Sequence, residues 1–317
     1  MNDSKKTTRL REFFSSPRTE LMPFGVLPIH AQMAEAAGFG AFHISGGMAS
    51  WWLNGVPDVG LMTRTEIIDN ARRIVQSVDI PVYCDADTGY GGIQNVRKTV
   101  QEFIDAGVAG IHIEDQLDPK KAGGQAGISL VSDEEAIGRL NAAVEARNEM
   151  DRDFVITART DGYAVAGGGV EEALRRGRLY RENTDVDVIF YEGIRTWEEV
   201  RYLLAETPGP AYVIASRHAG PTPPVAQLSE WGQAINIVPF LTPGVQDAWK
   251  LLLKVKNTGE MAAYDQYQAD SFALEGTEEF VGHGDRFVKP SYQQVRDLEA
   301  RYLPASLQRD YENSIHD

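Results

Sequence analysis

Eight short apolar runs recur along this chain, each separated from the next by a longer polar or helix-patterned stretch, and that alternation limits the fold more than any other feature. The runs lie at 21–26, 41–45, 78–83, 109–115, 154–161, 186–192, 211–216 and 234–240. Helical patterns such as 132–150 and 169–180 stand between them. Strand, helix, strand in strict order calls for parallel strands joined by helical crossovers. Eight such units point to a closed (β/α)8 barrel, a TIM barrel. An open doubly wound sheet would be expected to carry a Gly-rich phosphate loop after its first strand. None is present, since Gly167-Gly168-Gly169 lies between elements and lacks the spacing.

Charge sits at the ends of these runs. Residues 78–83 are followed by Cys84-Asp85-Ala86-Asp87-Thr88-Gly89-Tyr90-Gly91. Asp85 and Asp87 are two apart and so share a face of an extended strand. Two like charges there suit a divalent cation, although Asp and Gly are equally at home in a solvated turn. The same pattern returns: one run ends in Glu114-Asp115, another in Arg159-Thr160-Asp161, a third in Glu192. In a (β/α)8 barrel the C-terminal strand ends form one mouth, where catalytic groups gather.

The chain has 317 residues against ~250 for a typical barrel, and the surplus falls after Phe240. The expected organisation is one domain over 1–317, with the barrel at 8–245 and a C-terminal helical extension at 246–317. A formal charge of −15 disfavours nucleic acid and anionic membrane surfaces as partners. The single cysteine excludes an internal disulfide. No apolar run approaches the ~18 residues of a membrane span, and residues 1–11 show no signal-peptide core. The expected location is the cytoplasm.

Ser45-Gly46-Gly47, Pro57-Asp58, Asp85 to Gly91, His112-Ile113-Glu114-Asp115-Gln116, Pro119-Lys120-Lys121 and Ala158-Arg159-Thr160-Asp161 occur in the order used by the isocitrate lyase and phosphoenolpyruvate mutase superfamily, which this chain resembles from about Thr8 to Phe240. By motif it is most similar to 2-methylisocitrate lyase, dimethylmalate lyase and carboxyphosphonoenolpyruvate mutase. The resemblance implies a Mg2+ (or Mn2+) enzyme that breaks or makes a C–C bond beside a small 2-oxo or 2-hydroxy carboxylate, through an enolate-like intermediate. It implies Asp58, Asp85, Asp87 and Glu114 around the metal, with Asp85 the most direct ligand. Ser45, Gly46, Gly47, Arg159 and Glu192 would bind substrate, while Arg159 and Lys121 would take part in catalysis. It also implies a homotetramer that exchanges a C-terminal helix.

Three departures stand out. Lyases of this family carry Cys-Gly-His after the paired basic residues, the cysteine serving as general acid; here the stretch reads Ala122-Gly123-Gly124. The segment 117–128, with Gly123, Gly124, Gly127 and the paired lysines, still reads as a gate that closes over substrate. After the seventh run, Arg217-His218 replaces the usual Asn and Glu, and after the first stands Leu27-Pro28-Ile29-His30. His218 is the candidate for the missing proton donor, with an ordinary loop histidine as the plain alternative for both His30 and His218. His43 and His112 read as packed, and Cys84 as a small buried hydrophobe. Without the thiol, a decarboxylase, hydrolase or phosphonate mutase of the same superfamily, or a small-acid binder without turnover, stays open beside the lyase.

Overall fold

The computed structural model describes residues 4–282 and 284–309. Eight strands form one parallel sheet: β1 (Glu20–Gly25), β2 (Phe42–Ile44), β3 (Val82–Asp85), β4 (Gly110–Glu114), β5 (Val155–Thr160), β6 (Val188–Ile194), β7 (Ala211–Ala215) and β8 (Ile235–Val238). Their spatial order is β7-β6-β5-β4-β3-β2-β1-β8, so the sheet curls until its edges meet. At that seam Ala211 and Gln233 form a parallel bridge. The Gln233 side chain completes it, accepting from the Val213 N–H at 3.1 Å and donating to the Val213 carbonyl at 3.0 Å. The fold is therefore the (β/α)8 TIM barrel expected from the alternation.

Helices α1 (Lys6–Phe14), α2 (Pro28–Ala36), α3 (Gly46–Leu53), α4 (Arg64–Ser77), α5 (Ile93–Asp105), α6 (Asp133–Met150), α7 (Val170–Asn183), α8 (Trp197–Glu206) and α9 (Val225–Glu230) precede or link the strands. Several begin at residues that cap the free amides of a first turn. Thr63 and Glu66 form a reciprocal capping box at α4, and Ser132 and Thr196 accept from the third amide of α6 and α8.

Two apolar cores result. One lies between strands and helices; the other fills the lower barrel with Met22, Tyr83, Val155, Val188, Phe190, Tyr212 and Ile235, and takes Leu10 and Phe14 from α1. The rings of Phe190 and Tyr212 stack at 4.4 Å, and Phe14 meets Tyr83 edge-on at 5.3 Å. Successive residues of a strand face opposite sides. The inward face that carries Tyr83 on β3 next presents Asp85, that of His112 on β4 presents Glu114, and that of Phe190 on β6 presents Glu192. An aromatic rung thus lies one step below a charged one.

The chain divides into two compact units at Gly244/Val245. The second contains most of α10 (Thr242–Thr258), with α11 (Ala262–Phe272) and α12 (Tyr292–Tyr302), helices that bury none of their residues. Among the described residues no helix is long and apolar enough to cross a membrane.

Candidate active site

The barrel mouth gathers six acids and two bases that solvent scarcely reaches. Asp58, Asp85, Asp87, Glu114, Asp161, Lys120 and Arg159 are buried, and Glu192 nearly so. Lys120 Nζ lies 2.6 Å from Asp58 Oδ1 and 2.7 Å from Asp87 Oδ1. Arg159 donates from Nε and one terminal nitrogen to the two oxygens of Asp161, at 3.0 and 3.1 Å. Its other terminal nitrogen lies 3.2 Å from Glu114. Asp85 accepts from the amides of Asp87 and Gly46, at 2.9 and 3.3 Å, and lies 3.1 Å from His112 Nε2.

These contacts divide the carboxylates by charge state. Burial alone would push Asp85 up, but His112, Lys120 and Arg159 outweigh it and hold the group well below the usual carboxylate range. Burial pushes Asp87 up to about 6 against the pull of Lys120, and Glu114 well up against Arg159 and Lys120. Glu192 rises to about 7, again mainly by burial. Separated acidities within one pocket are a mark of functional sites.

The close packing needs glycine at two points. A Cβ on Gly46 would stand 2.7 Å from Asp85 Oδ2, so a side chain there would displace that carboxylate. A Cβ on Gly123 would stand 2.5 Å from Glu192 Cγ and 2.6 Å from an Arg159 guanidinium nitrogen. At Gly123 the gate backbone therefore lies directly against Glu192 and Arg159 at the mouth. Its base is an antiparallel bridge between Gln116 and Leu130, and the Gln116 amide brackets Lys121 at its N–H and carbonyl.

The structure brings Asp58, Asp85, Asp87, Glu114, Arg159, Glu192, Gly46 and Gly47 together. Ser45 caps α3 beside them, accepting from the Met48 amide. Lys121 is placed differently: its ammonium donates to the Pro119 and Lys120 carbonyls, and its neighbour Lys120 enters the cluster. His218 lies exposed on the short turn after β7, with no side-chain hydrogen bond or ion pair among the described residues. His30 folds back on its own loop, its Nδ1 facing the amides of Val26 and Leu27 at 3.3 Å, and burial lowers it to about 4. His43 is packed as expected and burial lowers it to about 3. Cys84 is buried, its thiol raised well above normal first by burial and then by Asp85 and Asp87, which suits an inert thiol.

Sequence reasoning passed over three residues here. Lys120 was one of an indistinguishable pair, and His112 read only as filler. Asp161 carried a usable signal: it stands two residues beyond Arg159 on a strand-end face. Asp115, the other strand-end acid, serves the scaffold, accepting from Tyr180, Thr160 and the Asp161 amide at 2.6, 2.7 and 3.0 Å.

Acids and an arginine at the strand ends of a (β/α)8 barrel, joined by Lys120 from a loop, occupy the place where such barrels carry catalytic groups. Comparison with known proteins names the family. The phosphoenolpyruvate phosphomutase model matches residues 27–250, and the chain belongs to that family, within the isocitrate lyase and phosphoenolpyruvate mutase superfamily. It is 37% identical to 2,3-dimethylmalate lyase of Eubacterium barkeri over 77% of this chain and 85% of that one. It is 40% identical to isocitrate lyase of Haloferax volcanii over 60% of this chain, spanning only 54% of that relative's length. A solved structure of phosphonopyruvate hydrolase with oxalate and Mg2+ superposes with a TM-score of 0.77 at 29% identity, covering 95% of this chain and all of that one.

Proposed function

We propose that this protein is a Mg2+-dependent lyase, similar to 2-methylisocitrate lyase, that breaks or makes a C–C bond next to a small 2-oxo or 2-hydroxy carboxylate. The observation that carries this reading is the convergence of Asp58, Asp85, Asp87 and Glu114 with Arg159 beneath a docked gate.

The residues fit a hard cation in chemistry. All four offer carboxylate oxygens, the donors Mg2+ prefers. Both oxygens of Glu114 are buried without a hydrogen bond, with an Arg159 terminal nitrogen 3.2 Å from one of them, so the group has oxygen lone pairs free for a cation. Among the described residues no three acidic, histidine or cysteine groups already form a ligand shell, and Lys120 is paired with Asp58 and Asp87. A cation and the Lys120 ammonium therefore compete for the same pair. When bound, the metal would supply positive charge to stabilise an enolate oxygen. Arg159 offers a planar donor fork, held in orientation by Asp161, to a carboxylate or carbonyl oxygen. Ser45 and the amide of Gly47, at the start of α3, receive the substrate carboxylate, beside the Gly46 amide that donates to Asp85. The 117–128 segment lies over the mouth at Gly123. Among the described residues the Lys121 and His218 side chains make no hydrogen bond or ion pair with the cluster's side chains, and the reading does not depend on them.

The exposed apolar residues Trp249, Leu252 and Leu253 of α10 and Val295, Leu298 and Tyr302 of α12 support a homotetramer with an exchanged C-terminal helix, which light scattering tests. The lone buried cysteine suits a reducing compartment such as the cytoplasm.

The deciding assay offers 2-methylisocitrate, 2,3-dimethylmalate, oxaloacetate and phosphonopyruvate to the protein with Mg2+ or with chelator. Mg2+-dependent cleavage of either hydroxy acid supports the lyase. Turnover of oxaloacetate or phosphonopyruvate alone points instead to a decarboxylase, hydrolase or phosphonate mutase, told apart by their products, the alternatives favoured by a gate without a thiol. Binding without turnover of any of them leaves a small-acid binder.

A further inference from the structure

Breaking a C–C bond leaves an electron pair on carbon, and a proton must reach it. The gate residues over the mouth, Ala122, Gly123 and Gly124, have no acidic hydrogen to give. The other acids around the site are committed elsewhere. Asp58 and Asp87 are tied to Lys120, Asp85 to His112 and two amides, and Asp161 gives both oxygens to Arg159. Glu114 has a fully buried side chain in contact with Arg159. The Cys84 thiol points to the Asp85 carbonyl.

Glu192 is the exception. It stands at the top of β6 directly beneath Gly123, whose Cβ position is 2.5 Å from Glu192 Cγ. A register irregularity between Glu192 and Ile194, with Gly193 at φ 75°, bends the strand end there, and bulges re-aim side chains at barrel rims. Its carboxyl makes no hydrogen bond among the described residues. The nearest Arg159 nitrogen is 3.9 Å away, and 14% of the side chain reaches solvent, enough for the group to regain a proton between turnovers.

We propose that Glu192, in its neutral form, is the general acid that protonates the carbon released by C–C cleavage. The proposal rests on the lyase reading above. The charged groups that act on Glu192 are Arg159 and Asp161 from β5, Asp85 from β3 and Lys120 from the gate, while Glu192 in turn acts on Tyr212 of β7. Burial is the largest influence and raises the carboxyl to about 7, with Asp161 and Asp85 adding to it and Arg159 and Lys120 opposing. A catalytic acid works best with its acidity near the operating pH.

The step balances without a redox partner. The substrate hydroxyl loses its proton to water and becomes the carbonyl of the 2-oxo acid. The adjoining C–C bond breaks, and its pair moves to the leaving carbon, delocalised over the neighbouring carboxylate. The Glu192 O–H bond then breaks and its proton goes to that carbon. Water returns a proton to Glu192, so the net proton count is zero.

The test uses the full-length protein with Mg2+ on 2-methylisocitrate and 2,3-dimethylmalate. Glu192→Gln should lower kcat by ~10²–10⁴-fold and leave oxalate affinity by calorimetry little changed, whereas Glu192→Asp should retain part of the activity. Because the acid must be protonated, wild-type kcat should fall as pH rises past about 7, and this limb should vanish in Glu192→Gln. A Gln variant with wild-type kcat and pH profile overturns the role of Glu192 while the lyase reading stands. Loss of turnover in His218→Gln but not in Glu192→Gln also overturns it, placing the acid on the β7 turn. A wild-type protein inert on both substrates with Mg2+ overturns the lyase reading itself, and the proposed role with it.

Discussion

The mouth and the floor of this barrel are made from the same strands, one or two residues apart, yet they follow opposite rules. The floor is closed by α1, filled by Leu10, Phe14, Met22, Val155 and Phe190, and its polar atoms are matched where Tyr83 and Tyr212 share a hydrogen bond at 3.3 Å. The mouth keeps six acids out of water with two cations between them, and leaves Glu114 without a hydrogen bond. Buried charge of this kind adds little net stability compared with apolar packing. The floor supports the fold at low cost in specificity, while the mouth holds charges ready for a ligand.

That contrast can be broken at either end, most severely at Asp85. Asp85→Ala should abolish turnover and eliminate the Mg2+-dependent rise in Tm; calorimetry showing undiminished Mg2+ binding would rule out its assignment as a ligand. Lys120→Met comes next. Removing one partner of a buried ion pair typically costs about 3–5 kcal/mol, so the metal-free variant should melt well below wild type. Added Mg2+ should restore more stability to it than to wild type, because its competitor for Asp58 and Asp87 is gone. Equal Mg2+ responses in a thermal-shift assay would refute the competition.

At the floor, Leu10→Ala should cost about 2–5 kcal/mol through the cavity it opens, read by urea denaturation, with turnover per folded molecule unchanged. A drop in kcat at full folding would show that floor and mouth are mechanically coupled. The smallest effect expected concerns Glu192. Its folded acidity, about 7, lies above the ordinary 4.5, so the stability it contributes is complete below about pH 4.5 and is lost as pH rises through 7. At about 1.4 kcal/mol per unit, discounted for its partial exposure and strong coupling, Glu192→Gln should be more stable than wild type by about 1–3 kcal/mol at pH 8 and equal to it near pH 4. A pH-independent difference would mean that Glu192 is not held neutral in the folded state.

The eight strands, their parallel sense and the acids at their ends were legible in the chain, because strand burial and the two-residue pleat write themselves locally as apolar runs with a fixed period. The same period places Asp85, Glu114, Arg159 and Glu192 on the inward face above an aromatic rung. What the sequence left open lay in loops and across distances. Either Lys120 or Lys121 could have entered the mouth; the choice falls to Lys120 because the Gln116 amide grips the backbone of Lys121 and turns its side chain to the Pro119 carbonyl. His218 followed a strand aimed at the mouth, yet the capped turn begun by Ser216 leaves it in solvent. His112, a residue any strand might bury, became the neighbour of Asp85 only when β3 and β4 paired with Asp85 opposite His112. Pattern along the chain determined which face each residue shows, since that depends on dihedral angles a few residues long. Which charges meet was decided by the tertiary structure alone, since it depends on register and loop closure between segments dozens of residues apart.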